Sequence, residues 1–271
     1  MVRGASPRWI IGGALRIATV HFELVLFLAV AGFAGGLVDS VVGGGGVITL
    51  PALLLAGVPV HLSLGTNKVA GTCGSLTATT VFARAGRLDL SLLKFVVAPV
   101  LAAAGVGAFT ASHLQPGVLR VLVIGAVLAA AGWAALRPVA VEEPPARPRS
   151  RVRVLAAVLL VAIGFYDGIL GPGTGLFLFA VLVALDRLAF VEAAGTGRAL
   201  NLASNVGALA VFALLGRVDF VIGLVMGAGV VLGARTGATM TIRRGAAFVR
   251  PMLVLAAILI VARLLLQVSG R

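Results

Sequence analysis

Two clusters in an otherwise apolar chain hold residues whose types and spacing could do chemistry. The first begins at Asp39, continues through Gly43, Gly44, Gly45 and Gly46, and resumes at Thr66, Asn67 and Lys68. The second begins at Asp167, continues through Gly171, Gly173 and Gly175, and resumes at Thr196 and Arg198. The offset is 128 residues from Asp39 to Asp167 and 130 from Thr66 to Thr196. Asn201 and Asn205 follow the second cluster and have no amide counterpart in the first. A cation beside hydroxyls, amides and glycine backbone N–H groups is a receptor for a small oxyanion. Lys68 and Arg198 stand near the predicted start of a long apolar segment, where a helix N-terminus adds about +0.5 charge. A carboxylate withdrawn from water gains proton affinity, so Asp39 and Asp167 could carry a coupled proton. Blander readings stand beside these. The cations could snorkel to lipid headgroups, the aspartates could cap the glycine turns or pair with the cations, and the glycines could serve packing alone.

These residues need elements to hold them, and the composition says what kind. The 271 residues are 60 % hydrophobic and only 11 % charged, whereas a soluble domain carries roughly 25 % charged residues. The chain therefore reads as an all-α polytopic membrane protein, a transmembrane helical bundle built from two homologous repeats. The 36 glycines suit close helix packing in lipid. A net charge of +13 reflects membrane topology rather than nucleic-acid binding, because the arginines gather at segment ends. Predicted segments in the first half are 22–38, the short 47–56, 66–83, 92–112 and 118–136. The second half repeats the order with 154–166, the short 176–185, 196–215, 220–234 and 249–267. The short segments fall below the ~17 residues of a comfortable crossing and read as broken or re-entrant helices, which need protein or a cavity around them.

The expected organisation is a basic N-terminal segment (1–20), a first membrane repeat (21–137), a polar Pro/Arg linker (138–153) and a second membrane repeat (154–268). The loop after the third segment is basic in the first half (Arg84, Arg87, Lys94). In the second half the basic stretch follows the fourth segment instead (Arg235, Arg243, Arg244, Arg250). Opposite bias in equivalent loops predicts inverted repeats with the linker and both basic stretches cytoplasmic, although the basic N-terminus pulls the other way. Arg87–Asp89 and Arg217–Asp219 read as loop turns. Thr72, Ser75, Thr77, Thr79 and Thr80 lie along one segment and either face a path or bond back to their own helix. Cys73 is the only cysteine and reads as a packing residue. His21, His61 and His113 have no metal-ligand partner at useful spacing, so neither a metal site nor a cofactor is expected.

The stretch from Phe33 to Asp39 with its glycine run, then Gly65-Thr-Asn-Lys68 and Gly86-Arg-Leu-Asp89, resembles the TauE/SafE family of sulfite and organosulfonate exporters; the second half resembles that family's second repeat. The resemblance covers nearly the whole chain. It implies transport of small sulfur-containing oxyanions (sulfite, thiosulfate or sulfonates) across the inner membrane, with the bilayer and at most a second copy of the chain as partners. A different small anion remains open. Gly-Thr-Gly-Arg198 departs from Gly-Thr-Asn-Lys68, so two identical half-sites are not implied. A second reading is an intramembrane aspartyl protease using Asp39 and Asp167, with Tyr166-Asp167 and Pro51-Ala52-Leu53 as its motifs. The Gly-x-Gly-Asp element is missing, and Pro-Ala-Leu precedes Tyr-Asp, so this reading is the weaker one.

Overall fold

The computed structural model describes residues 22–136 and 150–245. All regular structure there is helical: α1 (Phe22–Val42), α2 (Gly46–Leu55), α3 (Val60–Arg84), α4 (Leu90–His113), α5 (Pro116–Leu136), α6 (Ser150–Ile169), α7 (Thr174–Ala184), α8 (Phe190–Leu214) and α9 (Phe220–Arg244). Among the described residues five helices are long and apolar enough to cross a bilayer: α1, α4, α6, α8 and α9. The protein is an integral, multi-pass membrane protein. The last predicted segment, the N-terminal segment with His21, most of the linker and Arg250 lie outside the described residues.

Several boundaries move. α3 and α8 begin six residues before the expected starts at Thr66 and Thr196, with Pro59 and Ala189 at their N-cap positions. α9 runs on to Arg244, so Arg235, Arg243 and Arg244 belong to a helix rather than a loop. Arg235 interrupts the apolar run, but an exposed arginine on a membrane helix can lay its stem on lipid and reach for the interface. α6 starts at Ser150, inside the expected linker.

Helix direction follows from the contacts. α2 folds back along α1, with Gly45 against Asp39 and Gly35 against Thr49. α7 folds back along α6, closed by an edge-on contact of Tyr166 and Phe177. α1 lies parallel to α9: Gly32 and Gly36 rest on the carbonyls of Met226 and Val230, and Gly229 and Gly233 rest on those of Ala29 and Phe33. α4 lies parallel to α6 in the same manner, through Gly164 on Val100 and Gly168 on Ala104. A β-carbon at five of these glycines would overlap backbone, and one at Gly164 would be tight against Val100, so the close approach depends on glycine, as lipid-embedded helices commonly require. α3 and α8 run antiparallel through the centre. The turn after α3 docks on the start of α8, where the Asp89 N–H donates to Thr196 Oγ1 at 2.9 Å. The turn after α8 docks on the start of α3, where the Asp219 N–H donates to Thr66 Oγ1 at 2.9 Å. Helices in corresponding places (α1 and α6, α3 and α8, α4 and α9) therefore point in opposite directions.

Asp89 and Asp219 also cap α4 and α9, each accepting from the backbone N–H groups two and three residues on, which satisfies donors that a helix start leaves open. Burial pushes the Asp89 carboxyl up, but the Ser91 hydroxyl, the Leu92 and Ser91 N–H groups and the Arg153 charge outweigh it. Together they hold the carboxyl below its ordinary value. Arg153 reaches from α6 to Asp186 at 3.3 Å and Asp89 at 3.8 Å, tying both halves together at that end of the bundle.

Candidate functional site

Asp39, Asn67, Lys68, Asp167, Asn201 and Asn205 converge between the halves on the walls of one cavity, and Arg198 lies beside it, paired with Asp39. Lys68 and Arg198 are the bulkiest fully buried side chains, 1 % and 2 % exposed. They do not snorkel. α3 and α8 are the central helices, and both cations point inward from the third turn.

Each cation crosses to the other half. Lys68 Nζ lies 3.0 Å from Asp167 Oδ2 and donates to the Asp167 carbonyl at 2.6 Å. Arg198 Nη1 lies 2.8 Å from Asp39 Oδ2, and its guanidinium leans towards Asn201 Oδ1 at 3.5 Å. Of the readings open for the aspartates, pairing holds for both. Asp39 is also a cap: its Oδ1 accepts from the Gly44 and Gly45 N–H groups at 3.1 and 3.0 Å. This corrects the first glycine run as a free anion nest, because two of its donors already hold the chain's own carboxylate. Asp167 Oδ1 has a hydroxyl neighbour, Thr174 Oγ1, at 2.8 Å.

Buried charges require such partners, since an isolated one costs far more than a protein's net stability. With two cations and two carboxylates the site is neutral overall. Each carboxylate has its own cation, so the two do not share a proton as an acid dyad must.

The cavity beside these pairs is about 40 Å³, on a scale where about 10–15 Å³ admits one water. Its walls include Asp39, Lys68, Asp167, Asn67, Asn201 and Asn205. Thr49 donates to Asn67 Oδ1 at 2.6 Å, which turns the Asn67 amide nitrogen away from that contact. Asn205 Nδ2 donates to the Asn201 carbonyl at 2.9 Å. Gly44, Gly45, Gly46, Gly171 and Gly175 line it as well, at the starts of α2 and α7.

The helix N-termini at the cavity are thus those of the two short helices. α3 and α8 start two turns before their cations, so the expected N-terminal contribution at Thr66 and Thr196 is corrected. These threonines are fully buried, serve as acceptors for the opposite half's turn, and do not line the cavity. Gly173 and Gly43 do not line it either. Gly43 packs against Gly175 with the Arg198 guanidinium beside both, and a β-carbon on either would overlap the other or the guanidinium.

Thr49 and Thr174 were not expected in the site. Each is a lone threonine in the sequence, and neither recurs in the other half. The hydroxyls along α3 mostly bond back: Thr72, Ser75, Thr77 and Thr80 each donate to the carbonyl four residues earlier. His61 and His113 meet the Leu114 and Phe109 carbonyls. No cluster able to hold a metal ion occurs among the described residues.

Comparison with known proteins gives the family. The family model described as "Sulfite exporter TauE/SafE" matches residues 28–264. A "Probable membrane transporter protein ORF9" from Sinorhizobium sp is 39 % identical over 246 residues, 90 % of this chain and 93 % of that one. A "Probable membrane transporter protein" from Haemophilus influenzae is 32 % identical, covering 90 % and 96 %. The "Probable membrane transporter protein YfcA" of Escherichia coli K12 is 34 % identical, covering 87 % of each. No solved structure gives a significant match.

Proposed function

The chain belongs to the TauE/SafE family of membrane transporters, and from that premise we propose that it moves a small sulfur-containing oxyanion (sulfite, thiosulfate or an organosulfonate) out across the inner membrane. It is a transporter and not an enzyme. The observation that carries the substrate class is a small cavity lined by the buried cation Lys68, by amide groups and by two helix N-termini, with a second buried cation, Arg198, paired to the lining residue Asp39. An anion leaving water loses a large solvation energy, and neutral donors alone replace it poorly. The substrate-binding set is Lys68, Arg198, Asn67, Asn201 and Asn205, with the Gly44–Gly46 and Gly171–Gly175 turns. The neutral charge balance supports coupling to a proton, because the anion competes with two carboxylates for the same cations.

Two inverted copies of one unit make up the bundle in this reading. The end carrying Arg84, Arg87, Lys94, Arg153, Arg187, Arg243 and Arg244 faces the cytoplasm. A homodimer in the bilayer is compatible with the apolar outer faces. The test is a ligand panel on the purified protein: sulfite, thiosulfate, taurine-like sulfonates, sulfate and chloride, read by thermal unfolding. A ligand of the native state stabilises by RT ln(1 + [L]/Kd). Stabilisation by sulfite or thiosulfate and not by chloride is expected; no shift with any sulfur oxyanion overturns the substrate class.

A further inference from the structure

We propose that the two ion pairs have different jobs: the Lys68–Asp167 pair is the proton-binding site, and the Arg198–Asp39 pair is a permanently charged strut. This rests on the proton-coupled anion transport proposed above and assigns the proton to one atom group. Asp39 and Asp167 are equivalent in the repeat, but their surroundings are not. Asp39 accepts two backbone N–H bonds and faces an arginine. Those donors cannot turn into acceptors, and a guanidinium does not deprotonate. All of them hold Asp39 as a carboxylate.

The second half changes two of these three donors, the Gly44 N–H and the arginine. Pro172 stands where Gly44 stands and has no N–H. Thr174 stands where Gly46 stands, and Lys68 faces Asp167 where Arg198 faces Asp39. Thr174 Oγ1 lies 2.8 Å from Asp167 Oδ1 and also 2.8 Å from the Gly171 carbonyl. A hydroxyl has one proton, so it serves either neighbour. When it donates to Gly171, its oxygen is free to accept a proton carried on Asp167 Oδ1. The same geometry therefore suits both protonation states, which the Asp39 site does not.

The step balances. A proton from bulk water adds to Asp167 Oδ1, the Thr174 hydroxyl proton turns to the Gly171 carbonyl, and Asp167 Oδ2 no longer opposes Lys68. The ammonium keeps its three protons and its bond to the Asp167 carbonyl, and its charge becomes available to the anion. One proton thus enters with each anionic charge. From the elements packed on Asp167, the ionisable groups facing it are few. α3 supplies Lys68, and α8 and α1 supply Arg198 and Asp39 across the cavity. Lys94 and His113 on α4 are exposed, α7 has no ionisable group, and the Tyr166 hydroxyl is turned to the Pro172 carbonyl at 2.6 Å.

Infrared titration of the purified full chain tests this without reference to any substrate. Acidification is expected to raise a protonated-carboxyl band that Asp167→Asn removes and Asp39→Asn leaves. Persistence of the band in Asp167→Asn, or its loss in Asp39→Asn alone, overturns the assignment. Thr174→Val, which keeps the shape and deletes the hydroxyl, must move the band's midpoint; an unmoved midpoint also overturns it, whether or not Asp167→Asn folds. In liposomes, sulfite flux driven by a pH gradient is expected to vanish in Asp167→Asn while sulfite exchange continues; equal loss of both modes in folded protein counts against the proposal. If wild-type protein moves no sulfite, the substrate reading fails and the infrared result still decides the proton site.

Discussion

Lys68 and Arg198 could be picked out of the sequence because charge is rare in an apolar chain and these two recur at corresponding places. Their partners could not. The sequence orders residues along the chain, and Lys68 meets a carbonyl 99 residues away. For the same reason Thr66 and Thr196 looked like ligand donors, when each accepts from a turn in the other half. The crossed pairing makes a prediction at this scale. Lys68→Ala leaves Asp167 as a buried, uncompensated carboxylate and should cost about 3–5 kcal/mol of stability. Lys68→Ala with Asp167→Ala together should cost less than Lys68→Ala alone, as read by thermal unfolding in detergent. If the double variant is the weaker of the two, the pair does not carry the coupling. Sulfite stabilisation should survive Arg244→Ala, in the last turn of α9, and weaken by roughly 1.5–3 kcal/mol when the charged hydrogen bond of Arg198 is lost.

At the scale of elements, the short helices α2 and α7 were expected as short and broken, since their apolar runs cannot span a bilayer. The longer helices α3 and α8 extend past their apolar runs at the polar ends. Residues 60–65 follow Gly57-Val-Pro59 and read as loop, yet Pro59 sits in the N-cap position where a proline costs nothing. The parallel contact of α1 and α9 depends on glycines meeting carbonyls, so Gly233→Ala should lower the unfolding temperature markedly. Gly125→Ala, where a β-carbon meets nothing within 4 Å, should leave it unchanged. The Asp89 cap makes a pH prediction. Its carboxyl is held below the usual 3.8, so its contribution is fully present above that value and is lost as pH falls through the lower, folded-state one. Wild type should lose stability on acidification into that range, and Asp89→Asn, which begins without the contribution, should show a smaller loss. Equal acid sensitivity of the two would mean the cap is energetically silent.

The whole molecule was legible as a helical membrane bundle, and the opposite loop charges pointed towards inversion. The structure reaches opposite helix directions by an independent route, through which turn docks on which helix. Single cysteines placed at Arg87 and Arg243 in a Cys73→Ser background should label from one side of sealed vesicles, and one at Arg217 from the other. Labelling of Arg87 and Arg217 from the same side would contradict the crossed docking of the two turns.

The docking of each turn on the other half also fixes an order of events during synthesis. Thr66 leaves the ribosome 153 residues before the Asp219 that fills it. At ~5–20 residues per second that is a wait of roughly 8 to 30 s. For the first part of that interval, until Asp167 and then Arg198 follow, the first half sits in the bilayer with Lys68 lacking its carboxylate and Asp39 lacking its guanidinium, a state in which lipid headgroups, insertion factors or quality-control proteases have first access to it. Translation speed through the second half, as much as sequence, then governs how much of this protein survives its own assembly.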